Sequence, residues 1–480
     1  MAASFFFYDL ETTGIKSHEC RIMQFAGQRT DMNLSPIGEP FNILVKLSPD
    51  VLPDPEAVLL TGITPQMTIM DGVTEFEFLK VFETEIATPD TIFVGYNTVR
   101  FDDEFIRCTR YRNFYDPYDW HWKDGRSRWD LLDLVRMTRA LRPEGIEWPF
   151  AEDGTPTNRL ELLTSLNGLD HEHAHDALND VLASIALAKL IRDLQPKLFD
   201  YLLSLRGKKE IKQFLADNPT FVYSSGKYSN EFLKTAVVQS ILIGDDQHGA
   251  IVWDLRHDPQ PFATLTPKEL VVRWGYTKDP DAPTRLPVKT LKYNRCPAIC
   301  PTGIIKDEEV QKRLGITLAQ IEANKAALKA LPELRANIIK ARELMDDERA
   351  NGNDEAPDVD EQVHGGLLDN HDQTLLRAVR AAEPTDVSQF GDQFHDKRMC
   401  ELLLRYKARN FSDSLTDEER QEYEAYRTHK LFEGGQSSRL AQYFSRLAEC
   451  AKNPKYTDKQ FLLEELQLYG QSIMPAELDT

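Results

Sequence analysis

Asp9 and Glu11 close the string SFFFYDLETTG, which runs from Ser4 to Gly14. The apolar run Phe5 to Tyr8 predicts a buried strand, and Thr12-Thr13-Gly14 ends it with turn chemistry. Alternation along a strand puts both acids on one face, roughly 6–7 Å apart at a rise of about 3.3 Å per residue. Two carboxylates beside a dry strand need a cation; the alternative is a solvated strand end with two surface acids. Three further residues carry the same ambiguity. Asp102, within GYNTVRFDDE from Gly95 to Glu104, falls where a strand and loop give way to a helix, as an ordinary helix cap would. Asp180 lies one turn inside a helix starting at Asp176, amid Ala and Leu, where an unpaired carboxylate on the packed side is costly. His175 sits just before that helix, where the positive end of the dipole keeps an imidazole neutral and fit to accept a proton. Together, four carboxylates and one histidine are what two-metal phosphoryl chemistry requires: hard cations take oxygen ligands and activate a water, and the histidine removes its proton. On this reading Asp9 bridges two Mg²⁺ ions, for which Mn²⁺ substitutes. Glu11 and Asp180 complete one ion, Asp102 holds the other through water or substrate, and His175 is the base.

A competing motif overlaps the last of these. His171-Glu172-His173-Ala174-His175 spells H-E-x-x-H, which on a helix binds zinc in metalloproteases. Asn167-Gly168 and Asp170 before it read as a loop, the helical stripe begins only after Asp176, and a protease leaves Asp9, Glu11 and Asp102 idle.

The elements that must position these residues alternate between strand and helix patterns. Arg21 to Arg29, Phe41 to Leu47 and Thr91 to Gly95 are strand candidates, Thr74 to Glu77 has the spacing of a capping box, and Trp129 to Val135 begins a strand or a helix. From Asp176 to Arg192 apolar residues recur as a helical stripe, which Gln195-Pro196 breaks. The first segment therefore reads as an α/β domain with a mixed sheet. Ala236 to Ile243, Ala250 to Leu255 and Leu286 to Tyr293 are β-rich and predict a small barrel, followed by one or two helices over Leu318 to Leu344. Asp346 to Gln362 holds eight acids and one arginine without apolar periodicity, as a linker does. Beyond it, Leu375 to Ala382, Arg398 to Tyr406, Asp417 to Tyr426, Leu440 to Ala451 and Phe461 to Leu468 read as helices. The expected domains are 1–195, 196–345 with the barrel and its helical extension, an acidic linker at 346–370, and an all-α part at 371–480.

At 480 residues the chain is too long for one core, and 41% hydrophobic with 28% charged residues is the composition of a soluble globular protein. Met1 to Tyr8 lacks the features of a signal peptide and no apolar run is long enough to span a membrane, so a cytoplasmic location is expected. The six cysteines are scattered and read as reduced thiols. A net charge of −20 argues against a nucleic-acid partner until it is divided by segment. Residues 1–200 carry 19 basic and 33 acidic residues, 201–345 carry 22 and 16, and 346–480 carry 16 and 28, so only the middle third is basic.

DLETTG, Thr61-Gly62-Ile63-Thr64, FDDE, and His175 with Asp180 at H-x-x-x-x-D resemble the DEDD superfamily of 3′→5′ exonucleases, in the subclass whose last motif has this histidine. More narrowly, GYNTVRFDDE, YRNFYDPYDW, SRWDLLDL, ALRPEGIEWP, HAHDALNDV and QPKLFDYL resemble the bacterial exonuclease I family, over about residues 4–470. The resemblance implies a ribonuclease H-like exonuclease domain, an SH3-like β-barrel and a helical C-terminal domain. It implies degradation of single-stranded DNA to 5′-mononucleotides in repair and recombination, by a monomer. It also implies that Thr61 to Thr64 meet the 3′-terminal nucleotide together with Glu11, Ile63 lying against the base; the alternative is a turn with a buried Ile. Aromatics between Phe114 and Trp122 stack bases or belong to the core. The family is a client of the single-stranded DNA-binding protein, whose acidic tail is expected on Arg142, Tyr201, Lys306 and Lys329. A sister exoribonuclease remains open, because the catalytic motifs do not distinguish ribose from deoxyribose. So does a non-catalytic single-strand binder.

Overall fold

A computed structural model describes residues 3–169, 176–245, 249–275, 278–279, 281–351 and 358–474. They form two compact units, each assembled from separate stretches of chain. The first comprises Met1–Ser127, His171–Leu182 and Pro357–Thr480, the second Arg128–Asp170 and Ala183–Ala356.

In the first unit, β1 (Ser4–Thr12), β2 (Ile22–Thr30), β3 (Phe41–Leu44) and β4 (Thr91–Gly95) run in the order β3-β2-β1-β4. β1 pairs antiparallel with β2 and parallel with β4, and β2 pairs antiparallel with β3, so the sheet is mixed. The aromatic run explains why β1 is central. Phe6 and Tyr8 pack with Phe25, Phe78, Phe82, Phe93 and Trp120 in one apolar cluster, and Phe5 and Phe7 are buried as well. Pro55 and Thr64 open two short helices, α1 (Pro55–Thr61) and α2 (Pro65–Asp71). The capping box at Thr74 is realised, its hydroxyl accepting from Glu77 N–H while the Glu77 carboxylate accepts from Thr74 N–H, and it starts α3 (Glu75–Val81). β4 then turns into α4 (Asp102–Arg112).

The same unit contains helices at Asn370–Ala381, Lys397–Asn410, Asp417–Phe432, Arg439–Lys452 and Gln460–Ser472. Each predicted helix in the last third therefore exists. They do not stand apart from the sheet: Ile63 and Met23 share a core with Tyr443, Leu447 and Leu466, and Phe114 shares one with Leu402 and Tyr406. The acidic segment also differs from a solvated linker. A helix runs Pro332–Asn351, and Asp360 is 2% exposed because Arg21, Arg405, Arg409 and Lys430 surround its carboxylate.

The second unit holds a five-stranded antiparallel sheet in the order Ala298–Pro301, Thr220–Ser224, Thr235–Ile243, Ala250–Asp254, Val288–Leu291. Its core gathers Phe221, Tyr223, Val238, Val252, Leu291 and Ile299 with Ile211 and Leu215 from the helix Lys208–Asp217. The expected helical extension is two helices, Leu318–Lys329 and Pro332–Asn351. Among the described residues, no helix is long and apolar enough to cross a membrane.

Candidate active site

β1 delivers Asp9 and Glu11 to one face, as its alternation requires, opposite the buried Tyr8 and Leu10. The β1–β2 register shifts between Glu11 and Thr12, so the ladder changes step immediately beyond the second acid. Asp102 is the first residue of α4 and is buried, with Phe101 in the capping position, so it is not an ordinary N-cap. The turn before it is fixed from Thr98, whose carbonyl accepts from Phe101 N–H (3.2 Å) and Asp103 N–H (3.0 Å). Asp180 comes from the helix Ala177–Leu194, one turn after Asp176. Asp176 caps that helix as predicted, its Oδ1 accepting from Leu178 N–H at 3.1 Å.

These elements bring ligand oxygens of Asp9, Glu11 and Asp180 within 4.8 Å of one another. The cost of that assembly shows in their acidity. Burial, then the charges of Asp102, Glu11 and Asp180, raise the Asp9 carboxyl well above the usual carboxylate range. Burial, then Asp180 and Asp176, push Glu11 up to about 8. Such a set is comfortable either protonated or with a cation, and an all-oxygen donor group is what a hard divalent ion takes. The residues therefore fit a divalent metal centre, with Asp102 acting on Asp9 from its edge. Two other clusters are occupied differently. In His18, Glu19 and Glu361 the acids face Lys16 and Arg439. In Asp369, Asp372 and His395 the carboxylates accept backbone N–H groups at the start of Asn370–Ala381 and at 395–396.

Other predicted positions fall as follows. His175, and with it His171, Glu172, His173 and Ala174, lies outside the described residues. Gly62 ends α1 in the left-handed region (φ 76°), and Thr64 caps α2 through Met67 N–H at 3.2 Å. Ile63 is 7% exposed, its side chain spent on the core rather than presented at the surface, while Thr61 and Gly62 remain part-exposed. Phe114 and Trp120 are core residues; of the aromatics from 114 to 122 only Trp122 is largely exposed. In the second unit Arg142 is exposed and Tyr201 half-buried, and the charge of Arg142 and the phenol of Tyr201 both act on or with the buried Cys300 thiol. The Tyr201 hydroxyl is buried with no hydrogen-bond partner among the described residues. Lys306 and Lys329 are exposed at the ends of Thr302–Lys306 and Leu318–Lys329.

Sequence reasoning missed the supports of the site. Tyr8 donates a hydrogen bond to Asp103, tying α4 to the far face of β1 beside Asp102. Gln24, on β2 across from Glu11, is buried. A tyrosine and a glutamine in strand patterns give no signal of such roles without the register.

The comparisons with known proteins converge on one family. A family model described as Exonuclease matches residues 6–188, Exonuclease I SH3-like domain matches 206–342, and Exonuclease I C-terminal domain matches 357–473. Exodeoxyribonuclease I of Haemophilus influenzae is 39% identical over 475 residues, 97% of this chain and 98% of that protein. The chain belongs to the exonuclease I family. Exodeoxyribonuclease I of Escherichia coli is 38% identical over 431 residues, covering 88% of this chain and 89% of that protein. The solved structure of E. coli exonuclease I in complex with a dA16 oligonucleotide superposes with a TM-score of 0.91 at 36% identity, covering 98% of this chain and all of that one. Membership makes the chain a nuclease and favours neither the protease nor the non-catalytic binder. Divalent metal use belongs to the exonuclease family, in keeping with the carboxylate set.

Proposed function

We propose that this protein is a 3′→5′ exodeoxyribonuclease that shortens single-stranded DNA to 5′-mononucleotides, working as a cytoplasmic monomer in repair and recombination. The observation that carries the reading is the convergence of Asp9, Glu11 and Asp180, carboxyls that burial and mutual repulsion make hungry for a cation. Mg²⁺ is the proposed ion, with Mn²⁺ substituting; an E. coli exonuclease I–ssDNA complex has been solved in a zinc ion bound form, at 34% identity and a TM-score of 0.90. Bound divalent ions supply an activated water and charge stabilisation for the leaving oxygen. Asp9, Glu11, Asp180 and Asp102 would hold them. His175, adjoining the helix cap Asp176, takes the proton of the attacking water on an imidazole nitrogen. Thr61 to Thr64 border the terminal nucleotide, with Thr61 and Gly62 presenting the accessible atoms and Ile63 stiffening the turn from beneath. A division into an exonuclease part at 1–195, a barrel part at 196–345 and a helical part at 371–480 goes with this reading; the matching family models span 6–188, 206–342 and 357–473, so the last takes in the second half of the acidic segment 346–370.

The test is the purified protein with Mg²⁺ on 3′- and 5′-labelled DNA and RNA, single- and double-stranded. Mononucleotides should leave the 3′ end of single-stranded DNA, and Asp9→Ala or Asp180→Ala should abolish their release while the fold and strand binding persist. An Asp9→Ala protein with near-normal turnover, or preference for RNA, would overturn the assignment. His175→Ala should slow turnover by roughly 100- to 10,000-fold.

For a protein partner, we propose the acidic tail of the single-stranded DNA-binding protein on Arg142 and Tyr201, with Lys306 and Lys329. A relative has been solved as an SSB/Exonuclease I complex (35% identity, TM-score 0.87). The buried Tyr201 hydroxyl, without a hydrogen-bond partner among the described residues, and the Cys300 thiol, which feels the charge of Arg142 and in turn acts on Tyr201, support the choice. A fluorescent tail peptide should bind with strong salt dependence, and Arg142→Ala should weaken binding without slowing hydrolysis of free DNA. Equal binding to the variant removes the site.

A further inference from the structure

The register of the sheet extends the carboxylate face beyond β1. Glu11 lies directly across from Gln24 and Asp9 from Ala26, and the next pairing carries those rows to Leu44 and Asn42. Opposed residues of an antiparallel pair point to the same side, so Gln24 shares the face that holds the acids. It is 7% exposed. Its amide nitrogen lies 2.8 Å from Asn42 Oδ1 and 3.5 Å from Asp176 Oδ1. Asp176 begins the helix that bears Asp180: its Oδ1 accepts from Leu178 N–H at 3.1 Å, and its carbonyl accepts from Asp180 N–H at 3.1 Å. One side-chain amide thus reaches from the strand beside Glu11 to the first turn of the helix beside Asp180. Both acceptors are oxygens, which fixes the amide with its nitrogen toward them. The other end of the same group is the anomaly, for Gln24 Oε1 is buried with no hydrogen-bond partner among the described residues. Buried acceptors are rarely left so, and each one asks for a reason.

Building on the metal-dependent reading above, we infer that Gln24 is a positioning residue of the site. Its N–H braces Asp176 against the sheet, and its Oε1 is the acceptor for a water in the outer shell of the bound cation. The need for a brace follows from the charges. Asp9, Glu11 and Asp180 repel one another before a cation arrives, and Asp176 adds to the repulsion felt by Glu11. Left to themselves, these charges push the start of the helix away from β1. A lysine or arginine at position 24 would hold it but would also neutralise the acids and compete with the metal. A neutral amide holds it without doing either. Residues that orient ligands from the outer shell typically change metal affinity or activity by 10- to 100-fold when removed.

The experiment titrates Mn²⁺ calorimetrically into metal-free, full-length protein without DNA, for the wild type, Gln24→Met, Asp176→Ala and the double variant. Methionine keeps the length and apolar bulk of the side chain and deletes both polar atoms; Gln24→Leu is the second variant, and cooperative melting of the metal-free protein shows which is folded. Gln24→Met should weaken Mn²⁺ binding by about 10- to 100-fold. In hydrolysis of single-stranded DNA, the Mg²⁺ concentration at half-maximal rate should rise by a similar factor, and kcat at saturating Mg²⁺ should change less. In the Asp176→Ala background the same substitution should cost clearly less, because the brace has already lost its far end. Wild-type Mn²⁺ affinity in a folded Gln24 variant, or a penalty of full size in both backgrounds, would overturn the inference while leaving the nuclease reading intact. A wild-type protein that neither binds Mn²⁺ nor degrades DNA would overturn that reading first, and the inference with it.

Discussion

A carboxylic acid that keeps its proton at neutral pH is a poor ligand until something replaces the proton, and Glu11 is in that position, its pKa pushed up to about 8 by burial, Asp180 and Asp176. The sign of the consequence follows from linkage. The folded, metal-free protein holds a proton on Glu11 that the unfolded chain releases near pH 4.5, so this group's contribution to stability is full below that pH and is lost as pH rises through about 8. Asp9 shifts in the same direction. We expect the metal-free protein to become less stable from about pH 5 to 8, and Mg²⁺ to raise the melting temperature more at pH 8 than at pH 6, with protons released on binding. Thermal melts with Mg²⁺ or with chelator, at each pH, measure this; a metal effect that does not grow with pH contradicts it. Asp9, Glu11 and Asp180 were legible in the sequence because an acid among apolar neighbours is costly unless a cation or a proton answers its charge. Gln24 was not, since a glutamine in RIMQFAGQRT reads as any alternate strand position until the register sets it across from Glu11. Of the two readings the sequence left for Ile63, contact with the base or a buried turn residue, the structure shows its side chain in the core.

The turn from β4 into α4 tolerates little change. Gly95 closes β4, and a Cβ there would collide with Thr98 Cγ2 and stand 2.8 Å from the Tyr8 carbonyl oxygen. The first neighbour is the residue whose carbonyl sets the start of α4, and the second is backbone of β1. Neither can give way without moving Asp102 relative to Asp9. Gly95→Ala should therefore cost about 1–3 kcal/mol in urea unfolding, the range for overpacking, and slow hydrolysis by more than about tenfold. Unchanged kcat in a folded variant would show that the turn has slack. Most elements were readable from local pattern, and the exceptions have local causes. Trp129 to Val135, which reads as either strand or helix, is both: Ser127–Asp130 is a strand, and Asp130 Oδ1 accepts from Leu132 N–H at 3.0 Å to start Leu131–Leu141. Leu318 to Leu344 divides in two because Pro332, which lacks an N–H, can begin a helix but not continue one.

At the scale of the molecule, charge is buried where apolar packing would be expected. Asp50 and Asp360 both receive Arg409 and Lys430, and Asp360 also receives Arg21, whose N–H and carbonyl close the β1–β2 hairpin on Thr13. Burial drives the Asp360 carboxyl up, but Arg409, Lys430 and Arg21 more than reverse it and hold it well below the usual range. Removing one partner of such a group strands the others, so Asp360→Ala should cost about 3–5 kcal/mol in urea unfolding, far more than a solvated linker residue would. Composition alone could not show this, because eight acids in seventeen residues look solvated whichever one is buried. The pairing also has a consequence in time. Arg21 and Asp360 stand 339 residues apart. At translation rates of about 5–20 residues per second, the ribosome adds that stretch in roughly 17–70 s, during which the β1–β2 hairpin exists without its anchor. A nascent chain would thus carry Asp9, Glu11, Asp102 and Asp180 well before it can hold the hairpin firm, so nuclease activity should appear only after Asp360 has been added.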